Sequence, residues 1–407
     1  MSATDFGTKL AIQALGLLSL HKQGCITMDN TKEDTSNFLN WVEIKNFKSI
    51  KDLRLDCKRV NIFIGRPNVG KSNILEGLGM LGPVFGYGQH RYLSNLFRYN
   101  ELVEAFRDND TQQPIQIKSD KTVSILRSFS VIDFPFAFIS GKTQWFNSNR
   151  QLILENTNHL YGGGKWIDGI KNIETSSYYP IYFPLKKQGD NDTVQFQLSK
   201  TFFDGFTDQF MVRKYDYKYL PEYTDIGIEY LLPPNGANLF SVIDRNRELR
   251  QEIGKLFEKD KLDFVLSKKD RKFYLQRKED DYVYLYPYSN VADTFQRFVF
   301  YIAAVESNKN SVIIFEEPEV HSFPPYTKAL AHRIVYSEQN QFFISTHSPY
   351  LLQTLIGELD DSELAVYITY YKDYQTHVRL LTADELQEAQ DLGIDLFYNL
   401  SRYEPNA

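Results

Sequence analysis

The string Gly65-Arg66-Pro67-Asn68-Val69-Gly70-Lys71-Ser72 places two glycines, a lysine and a hydroxyl at the spacing of the Walker A pattern. Glycines let a backbone wrap a polyphosphate with its N–H groups, and a helix starting at Lys71 adds the positive end of its dipole. Lys71 then reaches the β and γ phosphates as a point charge, and the Ser72 hydroxyl is a ligand for Mg²⁺. The whole run Gly65, Arg66, Pro67, Asn68, Val69, Gly70, Lys71, Ser72 and Asn73 is the expected binding loop for a polyphosphate nucleotide, with Mg²⁺ as the expected metal.

Two further strings end in groups suited to hydrolysis. Val312-Ile313-Ile314-Phe315-Glu316-Glu317-Pro318-Glu319 is an apolar strand closing on paired carboxylates. Glu316 is expected to hold Mg²⁺ through its water shell, and Glu317 to polarise the attacking water as a general base. Phe342-Phe343-Ile344-Ser345-Thr346-His347-Ser348-Pro349 delivers one histidine at the end of the next strand. There His347 could hydrogen-bond the γ-phosphate or the attacking water. The catalytic set is therefore Lys71, Glu317 and His347. The basic run Lys268-Lys269-Asp270-Arg271-Lys272 reads either as a phosphate-backbone contact or as a solvated loop. Arg213 and Lys214 have no motif to anchor them, and His321 and His332 lack a third metal ligand.

These groups need elements to hold them. Trp41 to Ile44, Ser49 to Asp56 and Val60 to Ile64 read as three strands, and Ser72 to Leu81 carries Ile74, Leu75, Leu78 and Leu81 at helical spacing. The order around the glycine loop is thus strand, loop, helix. Ser119 to Tyr288 is rich in Tyr and Phe, with β-like runs at Tyr178 to Pro184 and Thr193 to Leu198, and with a helix over Asn246 to Asp260. Beyond Asp293 the pattern returns to α/β: helices at Phe295 to Glu306 and Tyr326 to Ser337, strands at Ser311 to Phe315 and Gln341 to Ser345. Two strands over Ala365 to Leu381 and a short helix from Ala383 to Gln390 follow.

Composition sets the bounds. The 407 residues carry 46 Lys plus Arg against 52 Asp plus Glu, with 42% hydrophobic residues, a globular profile with net charge -6. Any nucleic-acid contact must then use a local basic patch or a partner. The apolar stretch Leu10 to Leu20 is too short for a membrane span, which needs about 20 residues, and lacks a secretory signal's basic flank. Cys25 and Cys57 cannot form a disulfide framework, so a cytoplasmic setting is expected. No heptad pattern is sustained, which excludes a long coiled coil. Residues 1–38 read as a mobile extension, with Met28 as an alternative start to Met1.

With these motifs in order, the chain resembles the ABC-type ATPase heads of the RecF, structural-maintenance-of-chromosomes and overcoming-lysogenization-defect (OLD) group. More narrowly, it is similar to stand-alone, OLD-like bacterial AAA-family ATPases. The resemblance rests on Val42 to Ile50, Pro67 to Asn73, Phe315 to His321 and Ser345 to Pro349, with a linker-like Leu231-Leu232-Pro233-Pro234-Asn235-Gly236. It implies an α/β P-loop NTPase fold: a mixed sheet flanked by helices plus an antiparallel β subdomain, and a β-rich middle insertion. The division it implies is 1–38 extension, 39–125 and 286–407 as two parts of one head, and 126–285 as insertion.

Such heads hydrolyse ATP between two subunits, each offering a signature loop to the other's nucleotide. The aligned segment is Tyr288 to Arg297, in which Ser289 would bind the nucleotide, while Ala292 and Asp293 stand where glycines are usual. The resemblance further implies a homodimer or higher oligomer, and a separately encoded effector such as a nuclease or toxin. DNA is a further partner the resemblance allows, antiphage defence or DNA repair is the implied setting, and no membrane partner is expected. The 60 residues after His347 fall short of a TOPRIM nuclease domain of roughly a hundred residues. Gln89, Gln112, Gln113 and Gln116 are all candidates for the Q-loop. The alternative to an ATPase is a nucleotide-gated scaffold or DNA-binding module with little turnover.

Overall fold

A computed structural model describes residues 34–82, 93, 96–128, 136–148, 181–185, 211–225 and 227–405, with the backbone alone at 137, 139, 145, 148 and 181–185. Most of the expected extension, the Leu10 to Leu20 stretch, Gln89 and the Thr193 to Leu198 run lie outside these residues. At the extension's far end, the Asn37 amide donates to Asn310 Oδ1 at 3.0 Å.

Three strands in the middle of the main sheet carry apolar side chains on both faces and are covered along their length, save at Glu316, which ends one of them. They are β3 (Val60–Ile64), β12 (Ser311–Glu316) and β13 (Asn340–Ser345). Unbroken apolar runs of this kind belong in a parallel sheet with layers on both sides. The sheet order is β15-β14-β3-β13-β12-β8, where β8 is Val212–Tyr215, β14 is Leu364–Lys372 and β15 is Gln375–Leu380. All neighbours are parallel except β14 and β15.

Because side chains alternate across a strand, each central strand feeds two cores. Ile62, Ile313, Phe315 and Ile344 face one side, where α5 (Asp293–Ser307), α6 (Pro324–Tyr336) and α7 (Pro349–Glu358) cover them. Phe63, Ile314 and Phe343 face the other, against Ile74, Leu75 and Leu78 of α1 (Lys71–Gly79). Helix α1 is thus sandwiched, because its far side meets Val42, Ile44 and Phe47 of a second sheet.

That second sheet has the order β2-β1-β4-β5-β6-β7, all antiparallel. Strand β1 is Trp41–Phe47, β2 is Ile50–Asp56, β4 is Ile115–Ser119, β5 is Thr122–Ser128, β6 is Phe136–Lys142 and β7 is Ile181–Leu185. Its strand β5 crosses the expected 125/126 boundary, and β8, within the expected insertion, pairs with β12. A third, antiparallel sheet has the order β11-β10-β9, where β9 is Asp263–Ser267, β10 is Lys272–Glu279 and β11 is Tyr282–Pro287.

The helix expected over Asn246 to Asp260 is shorter, Arg247–Lys255, followed by a separate 3₁₀ turn at Glu258–Asp260. Asn246 starts it by accepting a hydrogen bond from the Leu249 amide at 3.0 Å. Among the described residues no helix is long and apolar enough to cross a membrane.

Candidate functional site

The carboxyl ends of β3, β13 and β12 lie side by side, which is where an open parallel sheet binds ligands. Beyond β3 the chain turns tightly through the glycine loop. A Cβ on Gly65 would meet the Thr369 carbonyl oxygen at 2.3 Å, and one on Gly70 would meet Thr376 Oγ1 at 2.0 Å. Gly70 also has φ 100, a left-handed backbone that favours glycine. No side chain caps α1, so its first amides are left to a ligand.

The loop bounds a polar cleft of about 370 Å³, lined by Pro67, Asn68, Gly70, Lys71, Ser72, Asn73, Arg98, Glu317 and His347. Lys71 is buried, and its Nζ donates to the carbonyls of Gly65 at 2.9 Å and Arg66 at 3.0 Å. Burial lowers its pKa, with the charges of Glu317 and Glu316 opposing. Asn73 Nδ2 donates to Ser49 Oγ at 2.7 Å, and Thr376 Oγ1 donates to the Val69 carbonyl at 2.8 Å. Residues of β15 and of the β1–β2 turn therefore brace the loop from behind.

The two carboxylates after β12 have different surroundings. Burial pushes the Glu316 carboxyl up, but Lys214, a hydrogen bond from Ser72 and Arg98 together bring it below its ordinary value. Lys214 Nζ lies 3.4 Å and Arg98 Nη2 3.2 Å from it. Glu316 is thereby kept ionised beside a hydroxyl, an oxygen pair suited to a divalent cation. Glu317 follows with φ 45, its amide donating to the Ser345 carbonyl at 3.0 Å. This turns its side chain into the cleft, with Oε1 3.4 Å from His347 Nε2. Burial and the Lys71 charge push the His347 pKa below 6.5, against Glu317. A neutral imidazole beside a carboxylate can accept or relay a proton.

Sequence reading missed several contributors. Glu319 Oε1 accepts from Thr346 Oγ1 at 2.8 Å and from the His347 amide at 2.6 Å, fixing the turn that carries the histidine. Arg98 bridges Glu316 and the fully buried Glu76, with its Nε 2.7 Å from Glu76 Oε1. No local pattern around Arg98, Lys214 or Thr376 marks them, because their partners are distant in sequence. The string after Glu317 did contain a signal for Glu319, a third carboxylate beyond the proline.

Other expected residues lie elsewhere. Arg66 turns away from the cleft, its Nε 3.4 Å from Glu404. Ser289 does not line the cleft; its hydroxyl donates to Asn290 Oδ1 at 3.3 Å. Gln112, Gln113 and Gln116 are absent from the cleft walls as well. Asp293 Oδ2 pairs with Arg297 at 2.6 Å and with His321 Nδ1 at 3.0 Å. Among the described residues no cluster of His, Cys, Asp or Glu could by itself hold a metal ion.

Residues 38–295 match the family described as AAA ATPase domain. The chain belongs to this family. It is an ATP-binding ATPase domain, and its mixed sheets flanked by helices are those of a P-loop NTPase. A Helicobacter pylori protein named ATP/GTP phosphatase is 23% identical over 363 residues, covering 80% of this ATPase chain and 89% of its own.

Solved structures with a loose likeness include an Smc head bound to the C-winged helix domain of ScpA. Its TM-score is 0.43 at 14% identity, covering 86% of this chain and 99% of that one. An SMC head domain from Thermotoga maritima gives 0.37 at 10%, covering 85% and 99%. The Smc head with an extended coiled coil bound to the C-terminal domain of ScpA derived from Pyrococcus furiosus gives 0.41 at 11%, covering 88% and 100%. Superpositions this loose carry no argument, and the fold of this ATPase stands on its own strand order.

Proposed function

We propose that the cleft binds ATP with Mg²⁺ and hydrolyses it. The observation that carries this is the convergence of Lys71, Ser72, Glu317 and His347 on one cleft with Glu316 behind it, from three parallel strand ends. The residues fit a magnesium nucleotide: uncapped amides at the start of α1, the Lys71 ammonium in the cleft, and an ionised Glu316 accepting from Ser72. Ser72 and Glu316 would hold the ion, which supplies charge neutralisation at the phosphates.

This chain's own residues do the rest. The first amides of α1 and the Lys71 ammonium bind the phosphates and offset charge developing on them. Glu317 orients a water and takes its proton, and His347, 3.4 Å away, orients that carboxylate or the γ-phosphate. Arg98, on the cleft wall, adds a second cation besides Lys71.

By resemblance to OLD-like and RecF-type heads, hydrolysis takes place between two copies, Ser289 of one facing the other's nucleotide. The same resemblance supports a separately encoded effector in antiphage defence or DNA repair. A second reading, a nucleotide-gated scaffold with little turnover, is favoured by one observation. Asp293, in the place of a signature glycine, is tied to Arg297 and His321 instead of leaving a bare backbone.

Phosphate release by wild type and Glu317→Gln separates the two. The enzyme reading expects turnover that falls at least about a hundredfold in the variant, within the usual worth of a general base. Turnover absent from wild type, or unchanged by the substitution, supports the scaffold and overturns the enzyme.

A further inference from the structure

Strand β11 is exposed along its whole length, yet its sequence is Tyr282-Val283-Tyr284-Leu285-Tyr286. Tyr282 is 68%, Val283 57% and Leu285 53% exposed, so both faces of the strand carry uncovered apolar groups. Among the described residues nothing pairs with its outer edge, because the sheet ends there: β11-β10-β9. A bare apolar edge of this kind is a template for another strand, and natural proteins normally blunt it with charge or proline.

The register shows which surface is left uncovered. Leu275 pairs with Tyr286, Arg277 with Tyr284 and Glu279 with Tyr282, so the three tyrosines share a face with Phe273 and Leu275. Phe273 and Leu275 are buried in the core. The tyrosine face is therefore the core-facing side of the sheet running on past the core that it covers.

The ends of the sheet differ in charge. The β9–β10 turn carries Lys268, Lys269 and Arg271 against Asp270, a net positive charge, while the β10–β11 tip at the opposite end carries Glu279, Asp280 and Asp281 against Lys278, a net negative one. Two such sheets placed edge to edge about a two-fold axis bring each acidic tip beside the other's basic turn, twice. With strands about 4.8 Å apart, the tip and turn backbones are roughly 14 Å apart. Side chains close most of that gap, within about one Debye length at 0.1 M salt. A parallel apposition would set like charges together.

We propose that β11 is a dimerisation edge, along which two copies of this chain pair antiparallel to form one continuous six-stranded sheet. The pairing is self-complementary, as a two-fold interface requires. It uses no nucleotide and so is independent of the function proposed for the cleft. A single-stranded nucleic acid stacked on the tyrosines fits less well. Arg277, the basic residue that β10 puts on that face, is already over the Tyr284 ring at 4.7 Å and paired with Glu279 at 3.0 Å.

Sedimentation velocity of the full chain without nucleotide tests this. Wild type and Lys71→Ala are both expected to be dimeric, and Val283→Lys/Leu285→Lys monomeric with an unchanged far-UV circular dichroism spectrum. Glu279→Lys/Asp281→Lys and Lys268→Glu/Lys269→Glu avoid the left-handed positions Asp280 and Arg271. Each alone should weaken the dimer several-fold at low salt, and an equimolar mixture of the two should restore it.

Three results would each overturn the proposal: a monomeric wild type, a dimer that survives the strand variant, or a mixture no tighter than its components. A monomer that binds oligothymidylate through Tyr282 and Tyr284 would overturn it in favour of nucleic acid. Loss of ATP binding leaves these results untouched, so the two readings fail separately.

Discussion

Glu319 is the most direct test of how the histidine is held. One carboxylate oxygen accepts from the Thr346 hydroxyl at 2.8 Å and the His347 amide at 2.6 Å, and Thr346 is fully buried. Glu319→Ala leaves that hydroxyl without an acceptor in a place water does not reach, at a cost of about 1–3 kcal/mol. In a chain of this size, about 1–2 °C of melting temperature goes with each kcal/mol.

The turn carrying His347 also loses its anchor, so kcat for ATP should fall at least about tenfold, or ~1.4 kcal/mol of barrier. KM should hold, because Lys71 and the loop amides are untouched. Glu319→Gln keeps the acceptor oxygen. Burial already raises this carboxyl's pKa, so a neutral isostere fits the place. That variant should stay within about threefold of wild-type kcat, a difference of ~0.7 kcal/mol. Phosphate release and thermal melting of the three proteins decide the matter. Wild-type kcat in the alanine variant, or a glutamine variant as impaired as alanine, would refute the positioning role.

Lys71→Ala removes a charged phosphate donor worth about 1.5–3 kcal/mol, so ATP affinity by calorimetry should drop about 10- to 150-fold; retained affinity would count against the loop. Gly70→Ala places a Cβ at 2.0 Å from Thr376 Oγ1 at φ 100, and should lower stability by about 1–3 kcal/mol along with nucleotide binding. Gly254→Ala, in Arg247–Lys255 with open space around it, should instead stabilise by up to ~1 kcal/mol in the same melting assay.

His347 should titrate below 6.5 by NMR, and lower still in Glu317→Gln, which removes the charge supporting its imidazolium. Because the fold favours the neutral ring, this residue's contribution to stability is present above pH 6.5. It is lost as pH falls through the lowered value. A titration above 6.5 would contradict the burial argument.

The local chemistry was legible in the sequence because a glycine loop between a strand and a helix is specified within a dozen residues. Glycine is needed at Gly70 for its φ, and Lys71 and Ser72 follow on the first turn of α1 wherever that helix goes. The unbroken apolar runs of β12 and β13 likewise announced covered parallel strands. What no local string contained was strand order. Tertiary pairing puts β13 between β3 and β12, and this brings Glu317 and His347 to a loop more than 200 residues away in sequence.

The same folding supplies Lys214 and Arg98 to Glu316, and Thr376 to the back of the glycine loop. Those partners carry no signal of their own, since an ion pair depends on distance in space and a cradle on which strand packs behind it. The sequence by itself determined which side chains the proposed chemistry uses. The tertiary structure decided which of them meet and which stay charged, because burial and neighbouring charge exist only once the sheets have closed around α1.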